Sequence, residues 1–301
     1  MTPELDAART AVDEALSAWL GEALREAEPI ADPIRHAVLA PGKRIRPLLL
    51  ISAWEAAGGP ERNGGNGRPP SLYRLALGPE LVHAYSLIHD DLPCMDDDAL
   101  RRGRPTLHVC YGERVAILAG AVLQPLAVRA VGDGAAGLEL SDGVTARLIV
   151  TLARASGGSG MVGGQLLDLL AEREDVSFGT LERIHLGKTA RLIAACCTMG
   201  AVAARASAET VDRLTRFGLA IGLAFQTVDD ILDVTGSSHR MGKIGGRDEA
   251  LGKATTPSLL GLAGARDRAE QLGREAFREL APFPAAHRLR EIGRLILERD
   301  R

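Results

Sequence analysis

The sequence has few aromatic residues and few cysteines. Trp, Tyr and Phe make up 3% of its 301 residues, so the core has to be built from Ala, Leu, Val and Ile, most of them good helix formers apart from the β-branched pair. The cysteines, Cys94, Cys110, Cys196 and Cys197, show no CxxC spacing. That absence argues against a structural metal site and favours reduced, buried thiols in a cytoplasmic protein.

An excess of positive charge is also missing. The chain has 39 acidic and 36 basic residues and a net charge of −3, which argues against a general nucleic-acid binder. No P-loop pattern is present, which argues against a nucleotide triphosphatase. The N-terminus lacks both a basic start and an apolar signal core, so a secretory signal is not expected. The longest apolar runs, 115–131 and 192–204, are predicted to be buried helices rather than membrane spans.

Alternating strand patterns are absent as well, and helical spacing runs through the chain. We therefore predict an all-α fold: one domain, residues 1–301, forming a bundle of roughly ten or more helices around a central cavity. Gly- and Pro-rich loops are predicted at 58–70, 132–137 and 236–252. The predicted helices cover 4–28, the run after Pro47, 71–92 with a break at Gly78-Pro79, 113–131 with a kink at Pro125, 141–155, 165–172, 178–204, 208–235, 254–263, 265–280 and 285–299.

An acidic cluster dominates the sequence that is present. Within the run HAYSLIHDDLPCMDDDALRRGR (83–104) it contains Asp90, Asp91, Asp96, Asp97 and Asp98. Such a cluster can be a solvated turn at a helix end. It can also bind magnesium, which takes oxygen ligands and shares them with phosphate groups.

A second acidic cluster favours the metal interpretation. Asp229 and Asp233 are four residues apart, so they share one helix face, where their mutual repulsion needs a cation. In the first cluster, Pro93 is expected to interrupt the helix. Either that interruption returns Asp96 to Asp90, or Asp97 shares the face of Asp90 on a continuous helix.

Basic residues accompany both clusters. Each alone is most simply a solvated surface base, but Lys188 interrupts an apolar helix, where a charge needs a partner. Together they favour a ligand more negative than a carboxylate, such as a diphosphate. The candidates are Lys43, Arg44, Arg46, Arg101, Arg102, Lys188, Lys243 and Lys253.

These stretches together resemble the trans-isoprenyl diphosphate synthase family, most closely its bacterial farnesyl diphosphate synthase branch. The resemblance covers nearly the whole chain. It implies an all-α isoprenoid synthase fold, a homodimer and about three magnesium ions in each active site. The stretches are PGKRIRP, HAYSLIHDDLPCMDDDALRRGRPT, GMVGGQLLDLLAE, HLGKTARLI, FQTVDDILDVTG and MGKIGGRDEALGKATTPSLLG.

The resemblance also implies roles for individual residues in joining isopentenyl diphosphate to an allylic diphosphate. Magnesium on the allylic diphosphate would be held by Asp90, Asp91, Asp96, Asp229 and Asp233. The same diphosphate would contact Arg101, Lys188, Lys243 and Lys253. Isopentenyl diphosphate would bind, without metal, at Gly42, Lys43, Arg46, His83 and Arg102. Thr189 and Gln226 match positions whose oxygens stabilise the allylic cation.

Product length is expected to depend on the residues one helical turn before the first aspartates. One isoprene unit measures about 5 Å, close to the roughly 5.4 Å pitch of a helix. Those residues are Tyr85 and Ser86. This pair, with the Pro-Cys insert in the aspartate motif, resembles the pattern for a fifteen-carbon product, farnesyl diphosphate; Tyr85 can equally be a core aromatic.

Two departures from the family pattern, and the competing functions, remain. Ala121 stands where the family usually has an acid facing the first cluster, and its loss is expected to lower activity, change metal affinity or mark a specialised relative. Thr256 stands where Tyr is common. The alternatives are a geranylgeranyl diphosphate synthase, a class I terpene cyclase, a weakly active or non-catalytic subunit, and a structural helical bundle. A cyclase would have no use for PGKRIRP, and a non-catalytic subunit usually lacks one aspartate motif.

Overall fold

The computed structural model describes residues 2–59, 68–236 and 253–298. The protein is all-α, as the sequence predicts, with 75% of the structure helical. The β-structure within these ranges is one antiparallel hairpin of two-residue strands, β1 (Leu100–Arg101) and β2 (Arg104–Pro105). The helices are α1 (Pro3–Ala23), α2 (Ala31–Val38), α3 (Ile45–Ala56), α4 (Pro70–Asp90), α5 (Leu107–Tyr111), α6 (Glu113–Gly137), α7 (Asp142–Ser156), α8 (Met161–Leu170), α9 (Phe178–His185), a π-helical turn (Leu186–Ala190), α10 (Arg191–Ala203), α11 (Ala208–Thr235), α12 (Thr256–Glu279) and α13 (His287–Leu297).

The chain divides into two compact units. Unit 1 comprises residues 1–51 and 61–149, and unit 2 comprises 52–60 and 150–301. The assignment of all 301 residues to one domain stays a prediction.

Unit 1 is built on the pairing of α4 with α6. Gly134 of α6 lies so close to α4 that a Cβ atom added there would stand 2.4 Å from the backbone nitrogen of Leu75. α1 also packs on α4, through a buried stripe that includes Leu5, Val12 and Leu16. Thr2 caps α1 by accepting a hydrogen bond from the Leu5 N–H. A Thr followed by a proline is a favoured way to begin a helix.

Unit 2 is centred on α11, which packs against α10 and α12. Small residues permit this close packing: a Cβ atom on Gly218 would stand 2.6 Å from the Cα atom of Ala194, and one on Gly222 would stand 2.6 Å from the Cα atom of Ala190. α12 begins with a capping box between Thr255 and Ser258. The fold thus holds the second acidic cluster, on α11, against the start of α12.

Several sequence predictions about elements were wrong. The segment 132–137 is the last part of α6, and two of its glycines, Gly134 and Gly137, lie against α4 rather than in a turn. α4 continues through Gly78-Pro79 without a break. The first helix ends at Ala23 instead of residue 28, and α2 and the β-hairpin were not predicted. The loops predicted at 58–70 and 236–252 lie largely outside the described residues.

The cysteine and apolar-run predictions were half right. Cys196 and Cys197 are buried free thiols, but Cys94 and Cys110 are exposed. Among the described residues, two helical segments are long and apolar enough to cross a membrane by length and composition, α6 and residues 178–203. The second is mostly buried in unit 2. The first has one buried face and one exposed apolar face.

Candidate active site

The first acidic cluster folds back on the end of α4. The helix ends at Asp90, and the Asp96 N–H donates to the Asp90 carbonyl over 2.8 Å. Asp97 adopts a left-handed conformation with φ of 53°, and its N–H donates to the Leu92 carbonyl. The interruption at Pro93 therefore returns Asp96 to Asp90, and the continuous-helix alternative for Asp97 is wrong.

Asp91 and Arg101 neutralise one another in unit 1. The Arg101 Nε atom donates to the Asp91 carboxylate over 2.8 Å, and a terminal nitrogen also bonds to Asp91 and, over 3.1 Å, to Asp98. Burial opposes the charge on Arg101, but these carboxylates raise its pKa above the usual value. The roles predicted from the family, metal ligand for Asp91 and diphosphate contact for Arg101, stay predictions.

A cationic pocket lies in unit 1 beside this pair. Its lining includes His83 and four arginines, and the two carboxylates there are paired with two of those arginines, which leaves an excess of positive charge: Arg44 with Glu80, Arg101 with Asp91, and Arg102 and Arg104. Gly42 lies directly under Arg102, because a Cβ atom there would stand 2.4 Å from a guanidinium nitrogen. Arg102 in turn donates to the Pro41 carbonyl over 2.8 Å. The structure therefore brings Gly42 and Arg102 into contact.

His83 is held neutral in this pocket. Burial lowers its pKa well below the ordinary value, and the positive charges of Arg46 and Arg102 lower it further. His83 and Arg102 both line the pocket. The positive charge of Arg46 acts on His83, and Lys43 is exposed in the loop that carries Gly42. A neutral imidazole can donate one hydrogen bond to an anion while the arginines supply the charge.

The loop that carries Gly42 and Lys43 is fixed by Arg44, one of the basic residues considered as a diphosphate contact. Arg44 is buried with φ of 48°, and it binds Glu80 over 2.9 Å and Asp13 over 2.8 Å. It also donates to the carbonyls of Val38 and Ala40. Its charge is thus neutralised internally.

The predicted chain-length residues lie on the last turns of α4. The Tyr85 ring meets the His89 ring edge to face, with 4.7 Å between centroids. His89 contacts the Ile117 carbonyl over 3.2 Å, and Gly120 is packed against it. The Ser86 hydroxyl donates to the His83 carbonyl. Ala121, next to Gly120, is exposed on α6.

Unit 2 places Lys188 in the π-helical turn between α9 and α10. Such turns shift the helix register and are frequent at functional sites. Gly164 of α8 packs against this turn, since a Cβ atom on Gly164 would stand 2.1 Å from the backbone nitrogen of Lys188. This approach brings the Lys188 ammonium within 2.6 Å of the Asp168 carboxylate on α8.

Asp168 also contacts Lys253, whose ammonium lies 3.6 Å away. Burial opposes the charge on Asp168, but Lys188 and Lys253 lower its pKa below the ordinary value. The two lysines predicted to bind one diphosphate therefore share one carboxylate. Lys243 lies outside the described residues.

Thr189 and Gln226 meet in unit 2. The Thr189 hydroxyl donates to the Gln226 side-chain oxygen over 3.0 Å. The Gln226 amide nitrogen donates in turn to Asp230 over 3.3 Å. The structure thus brings Thr189 and Gln226 into contact, and their predicted role beside the allylic cation stays a prediction.

The three aspartates of the second cluster differ in their surroundings. Asp229 and Asp233 are partly exposed, one turn apart on α11, whereas Asp230 is buried. Asp230 accepts hydrogen bonds from the Thr256 N–H and hydroxyl, both over 2.8 Å. Burial raises its pKa to about 6 despite these bonds.

The donor set of the two clusters fits magnesium. Magnesium usually takes one or two protein carboxylates and completes its shell with water and substrate phosphate. Asp90 with Asp96, and Asp229 with Asp233, each offer such a pair. Within the described ranges, no three His, Cys, Asp or Glu side chains are grouped to hold one ion.

Sequence reasoning missed Asp168 and Asp230 as members of these sites, and it counted Arg44 as a candidate diphosphate contact rather than a buried residue that fixes the loop. Asp168 and Gln165 stand out only as polar residues in the apolar stretch GMVGGQLLDLL. The amide of Gln165 is buried and makes no hydrogen bond to the part of the chain that the structure describes. Sequence reasoning assigned Asp230 no role, and its burial and its contact with Thr256 separate it from Asp229.

Comparison with known proteins gives a consistent result. The family model "Polyprenyl synthetase" matches residues 27–282. The chain is 44% identical over 263 residues to a putative geranylgeranyl pyrophosphate synthase 8, chloroplastic, of Arabidopsis thaliana, covering 86% of this chain and 70% of that protein.

Two solved structures support the same assignment. An FPP/GFPP synthase from Zymomonas mobilis is 35% identical with a TM-score of 0.83, covering 98% of this chain and 100% of that one. A geranyltransferase from Helicobacter pylori, solved with magnesium and isoprenyl diphosphate, is 32% identical with a TM-score of 0.80, covering 99% and 97%. The chain therefore belongs to the polyprenyl synthetase family and is a prenyltransferase of isoprenoid biosynthesis.

Proposed function

We propose that the protein condenses isopentenyl diphosphate with dimethylallyl or geranyl diphosphate, head to tail, to give farnesyl diphosphate and release diphosphate. The observation that carries this proposal is the cationic pocket of unit 1. Its Arg102 and neutral His83 suit a diphosphate without a metal. A chain-elongating enzyme needs such a second diphosphate site, whereas a cyclase of one allylic diphosphate does not.

The side chains have distinct tasks in this reaction. Lys188 and Lys253 neutralise charge on the allylic diphosphate as its carbon–oxygen bond breaks. Asp90, Asp91, Asp96, Asp229 and Asp233 are the proposed ligands of about three magnesium ions, which supply Lewis-acid stabilisation of the leaving diphosphate when bound.

The allylic cation left by this step is stabilised by oxygens. Those of Thr189 and Gln226 face one another at 3.0 Å and are the proposed cation neighbours. The double bond of isopentenyl diphosphate then forms the new carbon–carbon bond. A proton is lost to the departing diphosphate, which restores neutrality at carbon, and water has to be excluded throughout.

Product length divides two candidates. Tyr85, which packs edge to face against His89 one turn before Asp90, favours a short product such as farnesyl diphosphate. The names of the similar plant proteins favour geranylgeranyl diphosphate. We propose the fifteen-carbon product, with the twenty-carbon product as the second candidate.

The direct test incubates purified protein with magnesium, radiolabelled isopentenyl diphosphate and geranyl diphosphate, and separates the products by length. A labelled fifteen-carbon alcohol after phosphatase treatment is the expected result, and a twenty-carbon alcohol would support the second candidate. Cyclic hydrocarbon without label would support a terpene cyclase. No labelled product at all would overturn the proposal and favour a non-catalytic subunit.

Assembly and location are also proposals. A homodimer follows from the family resemblance. A cytoplasmic location stays a prediction, because the similar plant proteins are named chloroplastic.

A further inference from the structure

The buried Asp230 carboxylate connects three elements of unit 2. It lies on α11, and its Oδ2 atom accepts the backbone N–H and the hydroxyl of Thr256 at the start of α12. His185, the last residue of α9, places its Nε2 atom 3.4 Å from the same oxygen. The carboxylate therefore supplies negative charge at the N-terminus of α12, where it is favourable.

The other Asp230 oxygen faces Gln226, one turn earlier on α11. A carboxylate has no hydrogen to give, so Gln226 has to present its amide nitrogen, which donates to Oδ1 over 3.3 Å. The Gln226 carbonyl oxygen is thereby turned away from Asp230. It accepts the hydrogen bond of Thr189 instead.

From these contacts we propose that Asp230 is a positioning residue: it fixes the orientation of the Gln226 amide so that an oxygen, not an N–H, faces Thr189 and the reacting cation. The inference rests on the proposed function, which places Thr189 and Gln226 at that cation. It also gives Thr256 a role. The Thr256 hydroxyl is the second donor to Oδ2 of Asp230. A Tyr, which is common in the family at this position, would carry its hydroxyl several atoms further from the backbone.

The test begins with Asp230→Asn. The Thr256 N–H is a donor, so the new amide has to turn its oxygen to Thr256 and its nitrogen to Gln226. Gln226 then flips and presents its N–H groups towards Thr189. We expect kcat to fall by at least about tenfold, while the KM values for both diphosphates change by less than about threefold. An unchanged kcat would overturn the inference.

A double variant separates orientation from simple damage. Gln226→Glu alone places two carboxylates against one another and is expected to be impaired. Asp230→Asn with Gln226→Glu keeps the net charge. The introduced asparagine amide can then donate to one oxygen of the introduced glutamate, while Thr189 donates to the other. The double variant should be more active than either single variant. A double variant no better than the worse single variant would contradict the proposal.

Thr256 offers a matched pair of variants. Thr256→Val keeps the shape but removes the hydroxyl, and Thr256→Ser keeps the hydroxyl. The account expects a lower kcat only for the Val variant, and equal kcat values in the two would contradict the role of the hydroxyl. Circular dichroism spectra and melting temperatures of all variants identify any that fail to fold.

A readout independent of turnover distinguishes failure of this inference from failure of the proposed function. In protein with ¹⁵N-labelled glutamine, the Gln226 side-chain signals should move in Asp230→Asn, with the Gln226→Glu spectrum giving their assignment. If the signals move but the wild type incorporates no isopentenyl diphosphate, the hydrogen-bond arrangement is supported and the proposed reaction is refuted. Unmoved signals would refute the positioning role itself.

Discussion

At the scale of single residues, position in the chain did not determine chemical role. Asp229 and Asp230 are neighbours, yet one is partly exposed and the other is buried under Thr256. Asp90 and Asp91 differ in the same way, since Asp90 is partly exposed and Asp91 is buried against Arg101. The sequence could predict that aspartates matter here, but burial and partners depend on residues distant in sequence.

The neutral His83 makes stability depend on pH. Its pKa is low in the folded protein, so below about pH 6.5 the unfolded chain binds a proton that the folded chain does not. His83→Gln removes this effect. The wild type should lose free energy of unfolding relative to the variant by up to about 1.4 kcal/mol for each pH unit below that value. Urea denaturation of both proteins from pH 7 to pH 5 measures the difference, and a constant difference would contradict a depressed pKa.

Tyr85 is the residue whose replacement should change the product. Tyr85→Ala removes the ring that packs edge to face against His89 and opens space one turn below Asp90. The main product should then lengthen by at least one isoprene unit, as chromatography of the released alcohols would reveal. Tyr85→Phe keeps the ring and should leave the length unchanged. An Ala variant with the original product length would remove Tyr85 from the account.

At the scale of elements, most helices could be predicted because apolar residues recur at helical spacing, as in α1 and α11. The prediction failed at glycines, because glycine occurs both in loops and where two helices pack closely. Gly132, Gly134 and Gly137 resemble a loop in the sequence, yet all three belong to α6. Gly134 and Gly137 give α4 room to approach, a property of the neighbouring helix that local sequence does not reveal.

This contrast yields a matched pair of variants within α6. Gly134→Ala inserts a methyl group against the backbone of Leu75 and should lower the free energy of unfolding by about 2 kcal/mol. Gly132→Ala meets nothing within 4 Å and should raise it by roughly 0.5–1 kcal/mol, because alanine favours the helix. Chemical denaturation decides, and equal effects of the two variants would contradict the close packing of α4 and α6.

At the scale of the whole molecule, the exposed face of α6 is the strongest indication of a partner. Leu118, Ala121, Pro125 and Val128 form an exposed apolar stripe at helical spacing. We expect this stripe to lie in the homodimer interface that the family resemblance implies.

Light scattering after size-exclusion chromatography tests the assembly. The wild type should have the mass of two chains, and Leu118→Glu should have the mass of one, because a charge would be buried in the interface. Val150→Glu changes an exposed apolar residue of α7 and should remain dimeric. A monomeric wild type, or a dimeric Leu118→Glu, would contradict this assignment.

The central claim is that the protein has two chemically different diphosphate sites, and calorimetry tests it most directly. With EDTA present, isopentenyl diphosphate should bind once per chain to the wild type and to Asp229→Asn, but at least about tenfold more weakly to Arg102→Gln. Geranyl diphosphate should bind tightly only with magnesium, and Asp229→Asn should weaken that binding. Isopentenyl diphosphate binding that requires magnesium, or that is unchanged in Arg102→Gln, would contradict the account.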